Sequence, residues 1–312
     1  MPPPTLPAAI LRTVAYADVF DQPVRFDELH RYLYGTAIRA EDLRRALENG
    51  AFPSEALSLH EGWLTLKGRE ALREVRAARA PYSSALWPVA IQWGQRLARL
   101  PFVRMVAVTG ALAVDNAVPG ADLDYFIIAE PGRVWTCRLF AVALVRLAAR
   151  RGVALCPNYV LAADALALAD HSLFTARELA QMVPLSGLAV YAQMRRANPW
   201  VDELLPNAGG HPGLRQPFDL AQGKAQPDGV TPPLEPRLPL GSRAIEWVLR
   251  ASLGDRLEQW EMDRKIKKFS RGPSLTDETR FTADRVQGHF EGYRARTLAA
   301  VEEKLRALGV GG

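Results

Sequence analysis

Cysteine is scarce in this chain, with only Cys137 and Cys156 among 312 residues. Two such residues build no disulfide framework and have no metal-binding spacing, which excludes a stapled secreted domain and makes a reducing cytoplasm the expected setting. Both read as small apolar core residues. Long apolar runs are also lacking. The longest, residues 134–149, is interrupted by Arg138 and Arg146 and is too short to span a bilayer, so no membrane partner is expected. The start, Met1-Pro-Pro-Pro-Thr-Leu-Pro, has neither a basic segment nor an apolar core and reads as a frayed lead-in, not a secretion signal. Charge of one sign is not concentrated either: the net charge is +5, and residues 1–80 carry 11 basic against 11 acidic side chains. The one basic run, Arg264 to Arg271, reads as a solvated helix face. No internal repeat is present.

What is there is an ordinary globular composition, 48% hydrophobic and 23% charged, in a chain long enough for more than one domain. Residues 1–80 read as a small winged helix-turn-helix. Ile10, Leu11, Val14, Ala15 and Val19 lie at helical spacing; Asp27 and Glu28 open a second short helix ending near Gly35; a third runs from about Arg39 to Glu48. Two short strands, 56–59 and 63–66, are joined through Gly62. A DNA reader loads its third helix with Arg and Lys, but here Arg39, Arg44 and Arg45 are offset by Glu41, Asp42 and Glu48. Packing on a neighbour or a protein partner is favoured; DNA is a possible but not favoured partner.

Residues 81–206 alternate helix and strand. A charged helix over 68–80 precedes Pro81, and an amphipathic helix follows over 83–100, with Leu86, Val89, Ala90, Trp93 and Leu97 on its apolar side. Strands are expected at 103–109, 123–129 and 153–161. Helices are expected from Gly110, over 132–151, at 172–183 and at 185–197. Residues 207–241 shift to Gly, Pro, Gln and Asp without periodicity and read as a flexible loop or insertion. Two helices, 242–269 and 281–308, close a C-terminal helical region (242–312), with Trp247 and Trp260 expected in its core. Asp115 reads as a cap or solvent-facing, Arg177 and Glu178 as a helix face, and His289 as a surface histidine. The fold class is α+β, a mixed sheet with helices on it.

Chemistry concentrates at 106–129. An apolar run ends in Thr109-Gly110, and after small residues and a turn, Asp122 and Asp124 open a second apolar run. Side chains alternate along a strand, so the two carboxylates face one side and Leu123 and Tyr125 the other. Paired carboxylates at the mouth of a sheet, across from a glycine turn that starts a helix, suit a divalent cation, Mg2+ or Mn2+, carrying a polyphosphate.

The Thr109-Gly110-Ala111 turn followed a dozen residues later by Asp122-Leu123-Asp124 resembles the signature of the DNA polymerase beta-like nucleotidyltransferase superfamily, over about residues 83–162. The N-terminal winged helix and helical tail extend the likeness to a group of bacterial nucleotidyltransferase-domain proteins. The resemblance implies transfer of a nucleotidyl group from a nucleoside triphosphate to a small-molecule or protein acceptor. Asp122 and Asp124 would hold metal, and Thr109, Gly110 and Ala111 would hold phosphate. Two positions depart from the pattern. Ala111 stands where the family has serine, and strand 153–161 carries Asn158 where the family has a third carboxylate. Asn158 offers one neutral oxygen, a weaker magnesium ligand and a poor base; either Asp164, just past the strand, reaches in or the acceptor supplies the missing charge. The competing reading is a catalytically weakened nucleotide-binding regulator whose winged helix contacts a partner protein or DNA.

Overall fold

The computed structural model describes residues 4–212, 238–269, 279–288 and 292–309. The chain is α+β. Its first part places α1 (Leu6–Asp18), β1 (Val24–Arg25), α2 (Phe26–Arg31), α3 (Ala40–Glu48), β2 (Leu57–His60) and β3 (Trp63–Leu66) around an antiparallel sheet of order β1-β3-β2. The hairpin pairs Leu57 with Leu66 and His60 with Trp63. Ile10, Leu11, Leu29, Leu33, Leu43 and Leu64 fill its centre.

A single helix, α4 (Leu72–Ala98), leads out of this part. Two helices broken at Pro81 were expected. Pro81 and Pro88 instead lie within one 27-residue helix. A proline inside a helix costs about 3 kcal/mol in isolation, and here packing offsets it. Arg76 is locked at one end, while Trp87, Ala90, Trp93 and Leu97 are buried at the other.

The second sheet has six strands in the order β7-β4-β5-β6-β9-β8: β4 (Val103–Val108), β5 (Leu123–Ala129), β6 (Leu155–Ala162), β7 (Val183–Ser186), β8 (Thr279–Phe281) and β9 (Arg285–Gly288). Only β5 and β6 run parallel, joined through α6 (Val134–Ala149). One face of the sheet, with Val106, Val108, Tyr125, Ile127 and Val160, packs beneath α4 and α6. The opposite face, with Met105, Ala107, Phe126, Ile128 and Leu161, is covered by α7 (Leu173–Gln181) and α8 (Leu188–Ala197) and is continuous with the core of the N-terminal part. A short α5 (Gly110–Ala113) follows β4, and α9 (Trp200–Leu204) follows α8.

Three elements differ from the sequence reading. Residues 183–186 form an edge strand where a helix was expected to begin; Pro184 cannot donate to a ladder, and an edge position tolerates that. The expected helix 281–308 is α12 (Tyr293–Ala307) preceded by the β8–β9 hairpin, whose Val286 pairs with Val160 and is buried. The expected helix 242–269 is divided into α10 (Leu240–Leu249) and α11 (Ser252–Phe269). Gly254 allows that turn, since a Cβ there would lie 1.7 Å from the Leu249 carbonyl oxygen. Trp247 and Trp260, expected in the core, are 79% and 54% exposed because α10 and α11 turn those faces outward.

Part of the segment read as a loop or insertion is anchored. Asn207 accepts from the Ile38 amide and donates to the Thr36 carbonyl, and Ala208 is buried. Residues 213–237, His289, and the end of the basic run (270–271) lie outside the described residues. Among the described residues, no helix is long and apolar enough to cross a membrane.

The two parts are clamped by an ion pair. Arg76 on α4 donates to both oxygens of Glu28 on α2, at 2.8 and 2.6 Å, and to the Pro23 carbonyl at 2.8 Å. The side chains are only 6% and 4% exposed. Removing one member strands a buried charge, which costs about 3–5 kcal/mol, whereas an apolar pair of similar volume is close to neutral. Arg76→Met is therefore expected to lower the urea-unfolding free energy by about 3 kcal/mol or more, and adding Glu28→Leu to recover most of that loss.

Candidate functional site

The site begins where β4 ends. The Thr109 amide donates to the Asp124 carbonyl at 3.0 Å, which fixes the end of β4 against the start of β5. Gly110 then takes φ +66°, a left-handed conformation, and opens α5. Its missing side chain is spatially required as well. A Cβ on Gly110 would lie 2.2 Å from Oδ2 of Asp124, so the carboxylate occupies the space the glycine leaves.

Asp124 is on β5 and half-buried, while Asp122 precedes the strand and is exposed. A ligand atom from each of Asp122, Asp124 and Cys156 falls within 4.8 Å of the others, a group able to surround one cation. Cys156 pairs with Asp124 across the parallel ladder. The ladder then shifts register: Tyr125 pairs with Pro157 and Phe126 with Tyr159, leaving Asn158 as the extra residue. That bulge brings Asn158 onto the carboxylate. Its Nδ2 donates to Asp124 Oδ1 at 2.5 Å, and its Oδ1 accepts from the Cys156 thiol at 2.6 Å.

Burial, with the charge of Asp122 beside it, pushes the Asp124 carboxyl up to about 7, against the lowering effect of the Asn158 hydrogen bond. Burial and the same two aspartates push the Cys156 thiol up to about 12, so without a cation it is a protonated thiol at neutral pH. The hard oxygen donors therefore come from Asp122, Asp124 and, by rotation of its amide, Asn158. Oxygen donors of this kind suit a hard divalent cation.

Asp164 does not complete the site. It lies exposed in the turn after β6, and because β5 and β6 are parallel, that turn is at the Ala129 end of the pair while Asp124 is at the other. Another acid in this region is Glu178 on α7, read from the sequence as part of a helix face. It lines the cavity that also takes in Thr109 and Asn158, and its charge raises Asp124. Burial pushes Glu178 up to about 7, against the hydrogen bond from Gln181 Nε2 at 2.6 Å and the charge of Arg177. Neighbouring Arg177 is no surface residue either: its guanidinium lies 3.7 Å from the centroid of the Tyr32 ring and 5.1 Å from that of Tyr16. Asp115, at φ +53°, accepts from Trp87 Nε1 at 2.8 Å and so fixes α4 instead of capping or facing solvent.

The cavity holds about 720 Å3 of empty space, counting the part open to solvent. Its floor is the sheet, where Phe126 and Tyr159 stack at 4.6 Å between centroids. Phe174, Leu179 and Met182 form the α7 wall. Arg280, Arg285 and Arg294 line the part nearest the β8–β9 hairpin and α12. The sequence reading missed these arginines together with the hairpin; alternation across Arg285-Val286-Gln287 was the signal that could have found them. Thr109 is buried on the cavity wall and Ala111 is exposed in the first turn of α5.

No family model, curated protein or solved structure matches the chain. The site therefore rests on its own geometry.

Two consequences can be measured. Gly110→Ala is expected to cost about 2 kcal/mol in urea unfolding, from a non-glycine residue at positive φ plus the clash with Asp124. Shortening Asp124 to Ala in the same chain should remove the steric part, so that the two losses are not additive. The second concerns pH. Folded Asp124 and Glu178 keep protons up to about 7 that unfolded carboxyls release near 4, so the folded state binds more protons across that window. Stability should then fall as pH rises from about 4 to 7, in metal-free buffer, and the Asp124→Asn, Glu178→Gln double variant should flatten that slope in urea titrations run at several pH values.

Proposed function

We propose that the chain is a Mg2+- or Mn2+-dependent nucleotidyltransferase that moves a nucleotidyl group from a nucleoside triphosphate to a small-molecule or protein acceptor. One observation carries this reading: the Asp124 carboxylate is seated on the Gly110 turn, with Asp122 and Asn158 beside it, and Asn158 also lines the neighbouring cavity. When bound, the cation supplies charge neutralisation for the polyphosphate. Asp122 and Asp124 would hold it, with Asn158 as a neutral oxygen donor. The amides of Gly110 and Ala111 have no intrahelical acceptor and, with the Thr109 hydroxyl, would take the terminal phosphates. Glu178 would accept the proton of the acceptor hydroxyl as its oxygen attacks the α-phosphorus. The bond from that phosphorus to the bridging oxygen breaks, and pyrophosphate leaves. A carboxyl pushed up to about 7 is matched to that task near neutral pH.

The N-terminal part supports the winged-helix reading through its element order and its β1-β3-β2 sheet. Its third helix favours a protein contact over DNA. Arg39 and Arg45 both pair with Asp42, and the Arg44 guanidinium lies 4.2 Å from the centroid of the Phe26 ring, so the basic groups are engaged within the module. The regulator reading draws on Asn158 standing where a metal-binding acid is expected; Glu178 in the same cavity favours the enzyme.

The test is pyrophosphate release from each nucleoside triphosphate with Mn2+ or Mg2+. Asp122→Asn and Asp124→Asn are expected to abolish cation-dependent triphosphate binding by calorimetry; retained binding in both would refute the assignment. Glu178→Gln is expected to lower kcat by about 10²-fold or more with KM little changed. Triphosphate binding without turnover on any acceptor, in wild type and variant alike, would select the regulator.

A further inference from the structure

Three guanidiniums gather on one side of the cavity, and the strand order says which substrate they face. Gly110 follows β4, on one flank of β5, whereas Arg280 is on β8 and Arg285 on β9, beyond β6 on the other flank; Arg294 joins them from α12. In-line transfer puts the leaving group and the attacking group on opposite sides of the phosphorus. If the pyrophosphate lies toward Gly110, as the transferase reading on which this inference rests requires, the acceptor enters from the β6–β9 flank.

We propose that these arginines bind an anionic group, a carboxylate or phosphate, carried by the acceptor, and that the acceptor is a small molecule with a flat or apolar body between that anion and its reacting hydroxyl. The cation charge on this flank exceeds the acid available to it. Arg294 pairs with Asp170 at 2.9 Å, and Asp170 also accepts from Ser172 and Thr175. Among the described residues, the ion-pair partner of Arg285 is Asp284 at a loose 3.9 Å, although the Arg285 side chain is only 13% exposed. Tyr159 borders this flank, close enough to feel the charges of Arg285 and Arg280. A guanidinium that is largely desolvated is stabilised by a bidentate anion, which carboxylate and phosphate both provide.

The space between the two ends defines the body. From β5 to β9 is two strand spacings and to β8 three, about 10–14 Å across the sheet. Less the reach of an arginine side chain, that leaves room for about one ring system, directly over the stacked Phe126 and Tyr159 rings and under Phe174 and Leu179. A purely polar acceptor such as a free sugar leaves that surface unsatisfied, and a neutral one offers the largely buried Arg285 guanidinium no second acceptor beside Asp284.

The experiment uses the full chain and fragment probes: benzoate and phenyl phosphate as the two anions, benzyl alcohol as the neutral counterpart, each titrated at millimolar concentration with ligand-observed NMR. Triphosphate binding with Mn2+ is measured in parallel by calorimetry. At least one anion should bind about tenfold or more tightly than benzyl alcohol, a difference of about 1.4 kcal/mol. The Arg280→Gln, Arg285→Gln double variant should lose that preference while triphosphate binding persists. The milder Arg280→Lys, Arg285→Lys chain should keep part of it, which separates loss of charge from loss of fold. Comparison of the two anions tells carboxylate from phosphate. Equal binding of all three probes, absence of binding by both anions, or anion binding undiminished in the Gln variant overturns the proposal. Loss of Mn2+-triphosphate binding in the Gln variant also overturns it, by assigning the arginines to the donor. Failure of the transferase reading shows elsewhere, as triphosphate binding that survives Asp122→Asn and Asp124→Asn.

Discussion

The site depends on one steric fact: a carboxylate rests where a side chain would be. Asp124 can turn its oxygens toward Asp122 and Asn158 because Gly110 has no Cβ and adopts a backbone conformation that other residues resist. The bond from the Thr109 amide to the Asp124 carbonyl keeps glycine and aspartate in register. The parallel pairing with β6 then sets how far along the next strand the third polar group must come from, and the bulge at Asn158 delivers it. Each of these is a backbone constraint, so the chemistry at the sheet mouth is fixed before side-chain packing contributes.

Around that constraint, the helices decide what kind of environment the carboxylates meet. The α7 helix carries Glu178 into the same cavity and Arg177 into a cage of tyrosine rings, so that consecutive residues serve opposite ends. Burial holds both Asp124 and Glu178 near the neutral range, so their ionised forms gain from a positive charge placed beside them. An arrangement that is unfavourable for folding is what a cation-dependent site requires.

Much of this was legible in the sequence. Strand β5 and the turn at Gly110 follow from apolar runs punctuated by glycine and aspartate; both carboxylates were expected on the strand, and Asp124 lies on β5 while Asp122 just precedes it. The rest depended on tertiary context. Glu178 sits in a helix whose neighbours are apolar on several sides, and nothing in its spacing distinguishes a cavity-facing acid from a solvated one. The β7 edge strand is four residues with a proline in it, too short for periodicity to register. The β8–β9 hairpin owes its existence to β6, whose free edge it covers, and local propensity does not report a partner more than a hundred residues away. Trp247 and Trp260 were assigned to a core on composition, but the turn at Gly254 directs both outward.

Because β9 lies beside β6, residues near position 286 complete a wall whose floor was laid down near position 126. During synthesis the corner around Gly110 and Asp124 is therefore complete in sequence well before the arginine-bearing flank exists. A nascent chain stalled short of the hairpin would present the stacked Phe126 and Tyr159 rings and an open sheet edge to its surroundings. Pairing of β9 with β6 is a long-range contact, and closing it costs loop entropy. The arginine-lined side of the cavity then arrives last, tied to the emergence of one short hairpin and the helix after it.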